Sequence, residues 1–283
     1  MRRCARVTSS LLLLLALSTA AAQNATTATT ANTTRCDAYD RDAPTAVTLF
    51  RSAQNANSDA VVLYPNCTAW PLSLVVEDGV PALFASALKI QVVESVPLKS
   101  GRLYLDSNAI TSANLSGYSG LIHVDISSNP SLTTIAAGKI PSSVLYLYLS
   151  GSGYTTLKDI IVPDTVEHLF LGENSFEDLN FTLSTSIKEL FVDGNTVAIS
   201  DLENLTFPDS IETLSCTACG IDTIRGVKFP IALKTLNLTD NRIQEFEIRA
   251  SDQVIFEQVL TDFDAIVQQP SCSTIKPASL RRD

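Results

Sequence analysis

A motif of about 22 residues recurs seven times between residues 102 and 243, and it restricts the fold more than any other feature of the sequence. Each copy fits the pattern apolar-x-x-L-x-L-x-x-N-x-apolar, with successive copies 21 to 24 residues apart. One such unit cannot bury its apolar face alone, so stacked units must build the core together. The asparagine column of the pattern contains Asn108, Asn129, Ser152, Asn174, Asn195, Cys219 and Asn241.

A second column precedes the first apolar position of five units by three residues, and it contains Pro141, Pro163, Ser184, Pro208 and Pro230. Proline fixes its own φ angle and biases the residue before it toward an extended conformation. With so few residues per unit, we expect the connecting segments to be extended or 3₁₀ rather than α-helical.

The L-x-L-x-x-N/C runs resemble a leucine-rich-repeat solenoid. This resemblance implies an α/β solenoid shaped as a horseshoe, with short parallel strands on the concave face and mainly extended or 3₁₀ convex segments. The Thr-rich start and the proline-containing repeats are also similar to extracellular leucine-rich-repeat regions of oomycete receptor-like kinases. The chain differs from that pattern because it shows neither a membrane helix nor a kinase domain, so signalling is not assigned to it.

The sequence predicts five segments. Residues 1–22 have a basic start, an apolar stretch and a small-residue cleavage site, which is typical of a signal peptide. Residues 23–34 form a Thr-rich arm that cannot bury enough surface to fold. We expect an N-terminal cap over 35–97, in which "VVLYPNC" and "ALFASAL" resemble degenerate repeats, then leucine-rich repeats over 98–246, and a cap helix and tail over 247–283.

The C-terminal cap helix is indicated by the stretch "SDQVIFEQVLTDF". Ser251 and Asp252 are typical N-cap residues. Apolar side chains then follow at positions i, i+3, i+4 and i+7, which places them on one helix face: Phe256, Val259, Leu260 and Phe263.

Charge and modification signals favour a secreted glycoprotein. Without the three arginines of the signal segment, 17 basic residues face 30 acidic ones, a net charge of −13. Such a chain repels phosphate backbones, so we expect no nucleic-acid partner, and no later stretch is long and apolar enough to predict a membrane span in the mature chain. Asn-x-Ser/Thr glycosylation sequons occur at Asn24, Asn32, Asn66, Asn114, Asn180, Asn204 and Asn237.

Five cysteines remain after the signal segment, an odd number for a secreted chain. We expect Cys36 and Cys67 to form a disulfide that ties the N-terminal cap. Cys216 and Cys219 form a C-x-x-C on inward repeat positions, which favours two buried thiols over a redox pair or half of a zinc site. Cys272 has no evident partner in the sequence.

The outward positions of the seven strands carry the candidate site. Strand residues alternate between two faces, which gives 21 outward positions with five aromatic residues, where the chain's 7% aromatic content predicts about 1.5, and with both histidines of the chain. Exposed aromatics beside ionisable groups are typical of interfaces, although cross-strand rings also stabilise a sheet by stacking. The candidate ligand-binding residues are Tyr104, His123, Asp125, Tyr146, Tyr148, His168, Phe170, Glu189 and Phe191.

Catalytic and metal chemistry has little support in the sequence. His123 and His168 are expected two strands apart, about 10 Å, too far to share a zinc ion. Familiar hydrolase, metalloprotease and phosphate-loop motifs are missing, so we expect no enzyme, metal or cofactor. The enzymatic alternative is a parallel β-helix acting on polysaccharide, which would have several strands per coil and acids clustered on adjacent coils; each unit here predicts one strand.

We therefore expect a secreted binding module whose concave face recognises a protein or peptide. Two alternatives stay open within that interpretation: an inhibitor of a secreted hydrolase, and the ectodomain of a receptor-like kinase in truncated form.

Overall fold

The chain winds into a β-rich solenoid of about seven turns of stacked parallel strands. The computed structural model describes residues 47–53, 58–135, 139–179, 182–195 and 201–259. Within these ranges helix is scarce: two 3₁₀ turns, Leu157–Asp159 and Ala250–Asp252, and one α-helix, α1 (Gln253–Val259). The solenoid was predicted, and so were connections that are extended or 3₁₀ rather than α-helical, but the overall class is β-rich rather than the α/β class expected.

The strands are two to five residues long, so most residues of each turn of the solenoid lie in the connections between strands. In chain order they are β1 (Leu49–Ser52), β2 (Ala60–Leu63), β3 (Ala69–Leu72), β4 (Val75–Glu77), β5 (Val80–Phe84), β6 (Val92–Val93), β7 (Arg102–Tyr104), β8 (Ser112–Ala113), β9 (His123–Asp125), β10 (Tyr146–Tyr148), β11 (His168–Phe170), β12 (Glu189–Phe191), β13 (Asp201–Glu203), β14 (Thr213–Ser215), β15 (Thr223–Arg225), β16 (Thr235–Asn237) and β17 (Glu245–Phe246).

The principal sheet has nine strands in the order β16-β14-β12-β11-β10-β9-β7-β5-β4. All neighbours are parallel except β4 and β5, which form an antiparallel hairpin at one edge. The central residues of the parallel strands align without a shift in register and are buried: Leu83, Leu103, Val124, Leu147, Leu169, Leu190, Leu214 and Leu236. The inward leucines of the repeat therefore form one continuous core.

The N-terminal cap contains one of the two degenerate repeats that the sequence suggested. The "ALFASAL" stretch supplies β5, which joins the principal sheet in register with β7. The "VVLYPNC" stretch does not form a coil, because β2 pairs antiparallel with β1 and β3 in a meander. Cys67 in this meander is disulfide-bonded, while Cys36, its expected partner, lies outside the described residues.

Buried asparagine side chains link each turn of the solenoid to the turn before it. The Nδ2 of Asn174 donates to the carbonyl oxygens of Leu171 in its own turn (2.8 Å) and Leu149 in the preceding turn (3.0 Å). Its Oδ1 accepts from the backbone N–H groups of Ser152 and Tyr154 in the preceding turn, at 3.0 and 3.2 Å. The same bridging role, which we call the asparagine ladder, is taken by Asn108, Asn129, Asn195 and Asn241.

The backbone at each ladder position follows a fixed shape. The residue before each ladder position has a positive φ, between 53° and 71°, a region that favours glycine because it has no Cβ. Only two of these seven residues are glycine, Gly151 and Gly194. The proline column also has a structural role: Pro141, Pro163, Pro208 and Pro230 accept, through their carbonyls, the N–H three residues later, which closes a turn just before a strand.

A second set of short strands runs along the solenoid outside the principal sheet, and the sequence did not predict it. β6 and β8 pair in parallel, as do β13, β15 and β17, and an isolated bridge joins Ile135 and Ile160 between the two groups. With only two or three residues each, these strands are too short to show an alternating pattern in the sequence. Coils with more than one strand are compatible with the alternative fold, a parallel β-helix acting on polysaccharide. The acidic residues, which are dispersed rather than clustered on adjacent coils, still disfavour that alternative.

The C-x-x-C pair differs in one respect from the sequence expectation. Cys216 and Cys219 are buried as expected, but they form a disulfide with a Cα–Cα distance of 5.6 Å rather than two thiols. The positive φ of Ala218 turns the chain so that Cys219 returns toward Cys216, which strand alternation alone could not indicate.

The C-terminal helix begins near the predicted residue, at Gln253 after a 3₁₀ turn. The carboxylate of Asp252 accepts from the Phe229 N–H at 3.2 Å, which ties this turn to the last coils. Phe256 is buried and meets Phe229 edge-to-face at 4.9 Å, so the helix packs on the apolar core. Leu260 and Phe263 lie outside the described residues.

Replacing Asn174 with alanine should destabilise the fold strongly. The change leaves two buried N–H groups and the carbonyls of two adjacent turns without the amide that satisfies them, so we expect a loss of about 3 kcal/mol in the free energy of unfolding. Chemical denaturation measures this. Glu177→Ala, on an exposed residue of the same turn, is the control and should change the stability little; equal effects of the two substitutions would contradict the role of the ladder.

Tyr154 tests the opposite case, a buried polar group without a hydrogen-bond partner, whose removal should raise the stability. Its ring is almost fully buried, burial raises the pKa of its hydroxyl, and that hydroxyl has no hydrogen-bond partner among the described residues. Tyr154→Phe removes a desolvated polar group, so we expect the free energy of unfolding to rise by about 1 kcal/mol. Tyr118→Phe should lower it, because the Tyr118 hydroxyl accepts from the Val96 N–H at 2.9 Å. A loss of stability in Tyr154→Phe would show that its hydroxyl is satisfied after all.

Candidate functional site

The outward face of the principal sheet collects the candidate residues in straight columns. Strand register places His123, Tyr146, His168 and Glu189 side by side in a first column that Arg102 begins. The same register forms a middle column that runs Tyr104, Asp125, Tyr148, Phe170 and Phe191. The nine candidate residues therefore lie on one surface, which we call the aromatic face.

Rings on this face stack directly on one another. In the middle column the centroids of Tyr148 and Phe170 are 4.0 Å apart, and those of Phe170 and Phe191 are 4.8 Å apart, with planes within 4° in both pairs. In the first column Tyr146 stacks on His168 at 4.2 Å. These distances equal or approach the spacing of neighbouring strands, so the register itself brings the rings together.

The stack extends one strand beyond the predicted site. Phe84, on β5, lies 4.7 Å from Tyr104 with parallel planes and is 45% exposed. Phe84 was not among the predicted residues because its unit lacks the full repeat pattern. Alignment of "ALFASAL" with "RLYL" places Phe84 opposite Tyr104, as the register shows.

His123 completes the middle column at the one position without an aromatic side chain. Asp125 lies there, between Tyr104 and Tyr148. The His123 ring leans over from the first column, with centroids 4.8 Å from Tyr104 and 4.9 Å from Tyr148. Six rings thus form an uninterrupted aromatic ladder: Phe84, Tyr104, His123, Tyr148, Phe170 and Phe191.

Hydrogen bonds fix the two ends of the first column. At one end the Arg102 guanidinium donates to Glu77 at 2.7 Å and to Asp78 at 3.3 Å, and the Tyr104 hydroxyl donates to the same Glu77 carboxylate at 2.9 Å. The bond from Arg102 lowers the pKa of Glu77, while burial and the bond to Glu77 raise the pKa of Tyr104 to about 12. At the other end, the His168 Nδ1 lies 2.7 Å from a Glu189 oxygen.

The polar groups at the centre of the face, on His123 and Asp125, form fewer hydrogen bonds and ion pairs than those at its ends. Burial, and secondarily the charge of Arg102, lower the pKa of His123 to about 4, so its imidazole is neutral at physiological pH. Its Nε2 is buried without a hydrogen-bond partner in the described part of the chain. Burial also raises the pKa of Asp125, whose Oδ1 accepts the Ser127 N–H at 2.9 Å.

The structure also bears on the metal site and the membrane span that were considered from the sequence. His123 and His168 are two strands apart, on β9 and β11, as expected, and no group of three potential metal ligands occurs among the described residues. The described helices include none long and apolar enough to cross a membrane.

Three of the four sequons in the described part of the chain lie away from the aromatic face. Asn66, Asn114 and Asn204 are exposed. Asn237 is half-buried in the middle column of β16, three strands from Phe170, where a glycan would limit the usable surface. Asn24, Asn32 and Asn180 lie outside the described residues.

The depressed pKa of His123 predicts how stability depends on pH. Between the unfolded pKa of about 6.5 and the folded pKa of about 4, the unfolded chain binds more protons, so stability falls as the pH is lowered through this window. The His123 ring protons followed by NMR should titrate near pH 4. His123→Phe keeps a ring between the tyrosines and should remove this part of the pH dependence; a midpoint near 6.5 in the folded protein would contradict the burial argument.

Neither a scan against protein-family models nor a search of curated proteins finds a match to this chain. The aromatic ladder and the charges around it are the features that bear most directly on function.

Proposed function

We propose that this chain is a secreted, glycosylated leucine-rich-repeat module that binds a protein or peptide through the concave face of its horseshoe, which corresponds to the aromatic face. The observation that carries the proposal is the aromatic ladder, six rings on six adjacent strands that span about 24 Å at the usual strand spacing. Phe84 of the ladder, 45% exposed, and Tyr146 in the column beside it, 36% exposed, keep large apolar surfaces in water. Such surfaces are typical of contact sites.

The orientation of the rings supports a polypeptide partner rather than a sugar. Tyr148, Phe170 and the other inner rings have both faces covered by neighbours, so they present edges to the outside. Sugars stack on ring faces, which the inner part of the ladder does not offer. Apolar side chains of a polypeptide can pack on a strip of edges, and the strip is long enough for an extended peptide of seven or eight residues at about 3.3 Å per residue.

The charges beside the ladder support a basic partner. Asp106 and Asp125 belong to this face, and neither forms a salt bridge among the described residues. Arg102 is already paired with Glu77 and Asp78. Complementary potentials speed association and fix the orientation of a partner, so basic groups on the ligand match this surface.

Two substitutions in the ladder test the proposal. Phe170→Ala and Tyr148→Ala each remove one ring of the ladder, with its apolar edge and its contacts to the rings on both sides. Each should weaken partner binding by about tenfold or more if the rings are central anchors. The measurement is capture of partners from the extracellular medium of the source organism on the immobilised full chain, followed by the affinity of the isolated partner for each variant.

Thr235→Ala is the matched control, on an exposed position of the same sheet at its far edge. It should leave the affinity unchanged. Because stacking contributes only about 0.2–1 kcal/mol per pair, the ladder variants should remain folded, which circular dichroism checks. Retention of every captured partner by folded Phe170→Ala and Tyr148→Ala would overturn the proposal.

A further inference from the structure

The aromatic ladder is irregular at one position, Asp125 on β9. Strands on both sides of β9 carry tyrosine in the middle column, whereas β9 carries a carboxylate. That carboxylate forms no salt bridge among the described residues, and burial raises its pKa. The His123 ring, two residues earlier on the same strand, has a buried Nε2 without a partner in the described part of the chain. Two unfavourable polar environments therefore coincide at one point of an otherwise regular surface.

The space between Tyr104 and Tyr148 has the dimensions of one flat group. The two tyrosines are two strands apart, about 10 Å by strand spacing, so a planar group between them lies at stacking distance from both. His123 occupies this space with its plane tilted by 47° and 32° from those of the tyrosines. The ladder's other neighbouring rings are parallel within 1° to 4°, so His123 fills the space without matching its shape.

We propose that this position is a subsite for an arginine side chain of the bound partner. The guanidinium would lie between Tyr104 and Tyr148 and pair with the Asp125 carboxylate, while His123 rotates outward into water. This inference rests on the proposed function, since the arginine belongs to the polypeptide that the aromatic face binds.

A guanidinium fits these surroundings better than other groups do. It is planar, stacks on aromatic faces and makes paired hydrogen bonds to a carboxylate. A lysine ammonium supplies the charge but not the plane, and an aromatic side chain supplies the plane but would leave Asp125 unpaired. Outward rotation of His123 also returns its Nε2 to water.

The nearby charges favour a cation here. Asp106 lies on the adjacent strand's outward side and its charge acts on Asp125. Arg102, on the neighbouring strand β7, is held by Glu77 at 2.7 Å and Asp78 at 3.3 Å, so it leaves Asp125 without a counter-charge. An incoming arginine therefore meets a negative centre with two ring faces beside it.

The test uses N-acetyl-arginine amide as the probe and the folded full chain as the receptor. NMR titration should shift the ring protons of Tyr104, Tyr148 and His123, with N-acetyl-lysine amide binding several-fold more weakly. Asp125→Asn keeps the Oδ1 that accepts from Ser127 but removes the charge, and should weaken arginine binding by about tenfold. His123→Ala opens the space and should strengthen binding.

Asp193→Asn is the control, a carboxylate on the same sheet three strands away, and should bind the probe as the unmodified chain does. Two results would overturn the subsite. One is that the probe binds Asp125→Asn as tightly as the unmodified chain, and the other is that the Tyr104 and Tyr148 ring-proton resonances do not shift at about 50 mM probe. Partner capture separates this failure from that of the proposed function. If Phe170→Ala loses the partner while Asp125→Asn retains it at full affinity, the binding face stands and the arginine subsite falls.

Discussion

The buried amide of the asparagine ladder is the interaction on which the rest of the solenoid depends. Each turn leaves N–H and carbonyl groups in the interior, where an unsatisfied polar group is costly. Asn174 satisfies such groups in its own turn and in the turn before it. Because each amide serves two turns, the ladder tolerates Ser152 and Cys219: the N–H groups of both residues are bound by the asparagine of the following turn, Asn174 and Asn241.

The asparagine ladder also determines the spacing of the aromatic face. Amides that hold neighbouring turns in one register force the strands to align without a shift, so outward residues fall in straight columns at the strand spacing. Aromatic residues such as Phe170 and Phe191 in one column must then stack at 4.0 to 4.8 Å. Stacking and recognition are therefore compatible on this surface: ring faces stabilise the sheet, while ring edges remain available to a partner.

Two periodicities made part of this structure predictable from the sequence: the repeat of about 22 residues and the two-residue alternation within each strand. The repeat fixed which leucines point inward, and the alternation of strand residues placed Tyr148, Phe170 and Phe191 on one face, as the register shows. Phe84 was missed because its unit lacks the complete pattern, and the second strand set because strands of two or three residues leave no alternation to detect. The Cys216–Cys219 disulfide depends on a turn whose shape comes from the φ angle of Ala218, which residue spacing does not reveal.

The sequence could not predict that the His123 ring lies between Tyr104 and Tyr148, because this placement depends on side-chain rotation rather than on register. In a repeat fold every turn offers nearly the same backbone, and Tyr104 and Tyr148 show that a ring fits the middle column on both sides of β9. The scaffold therefore does not require a half-buried carboxylate or a tilted imidazole at this turn. This cost, which the backbone does not impose, lies at the centre of an otherwise regular aromatic ladder, and we attribute it to the partner that we propose for this face.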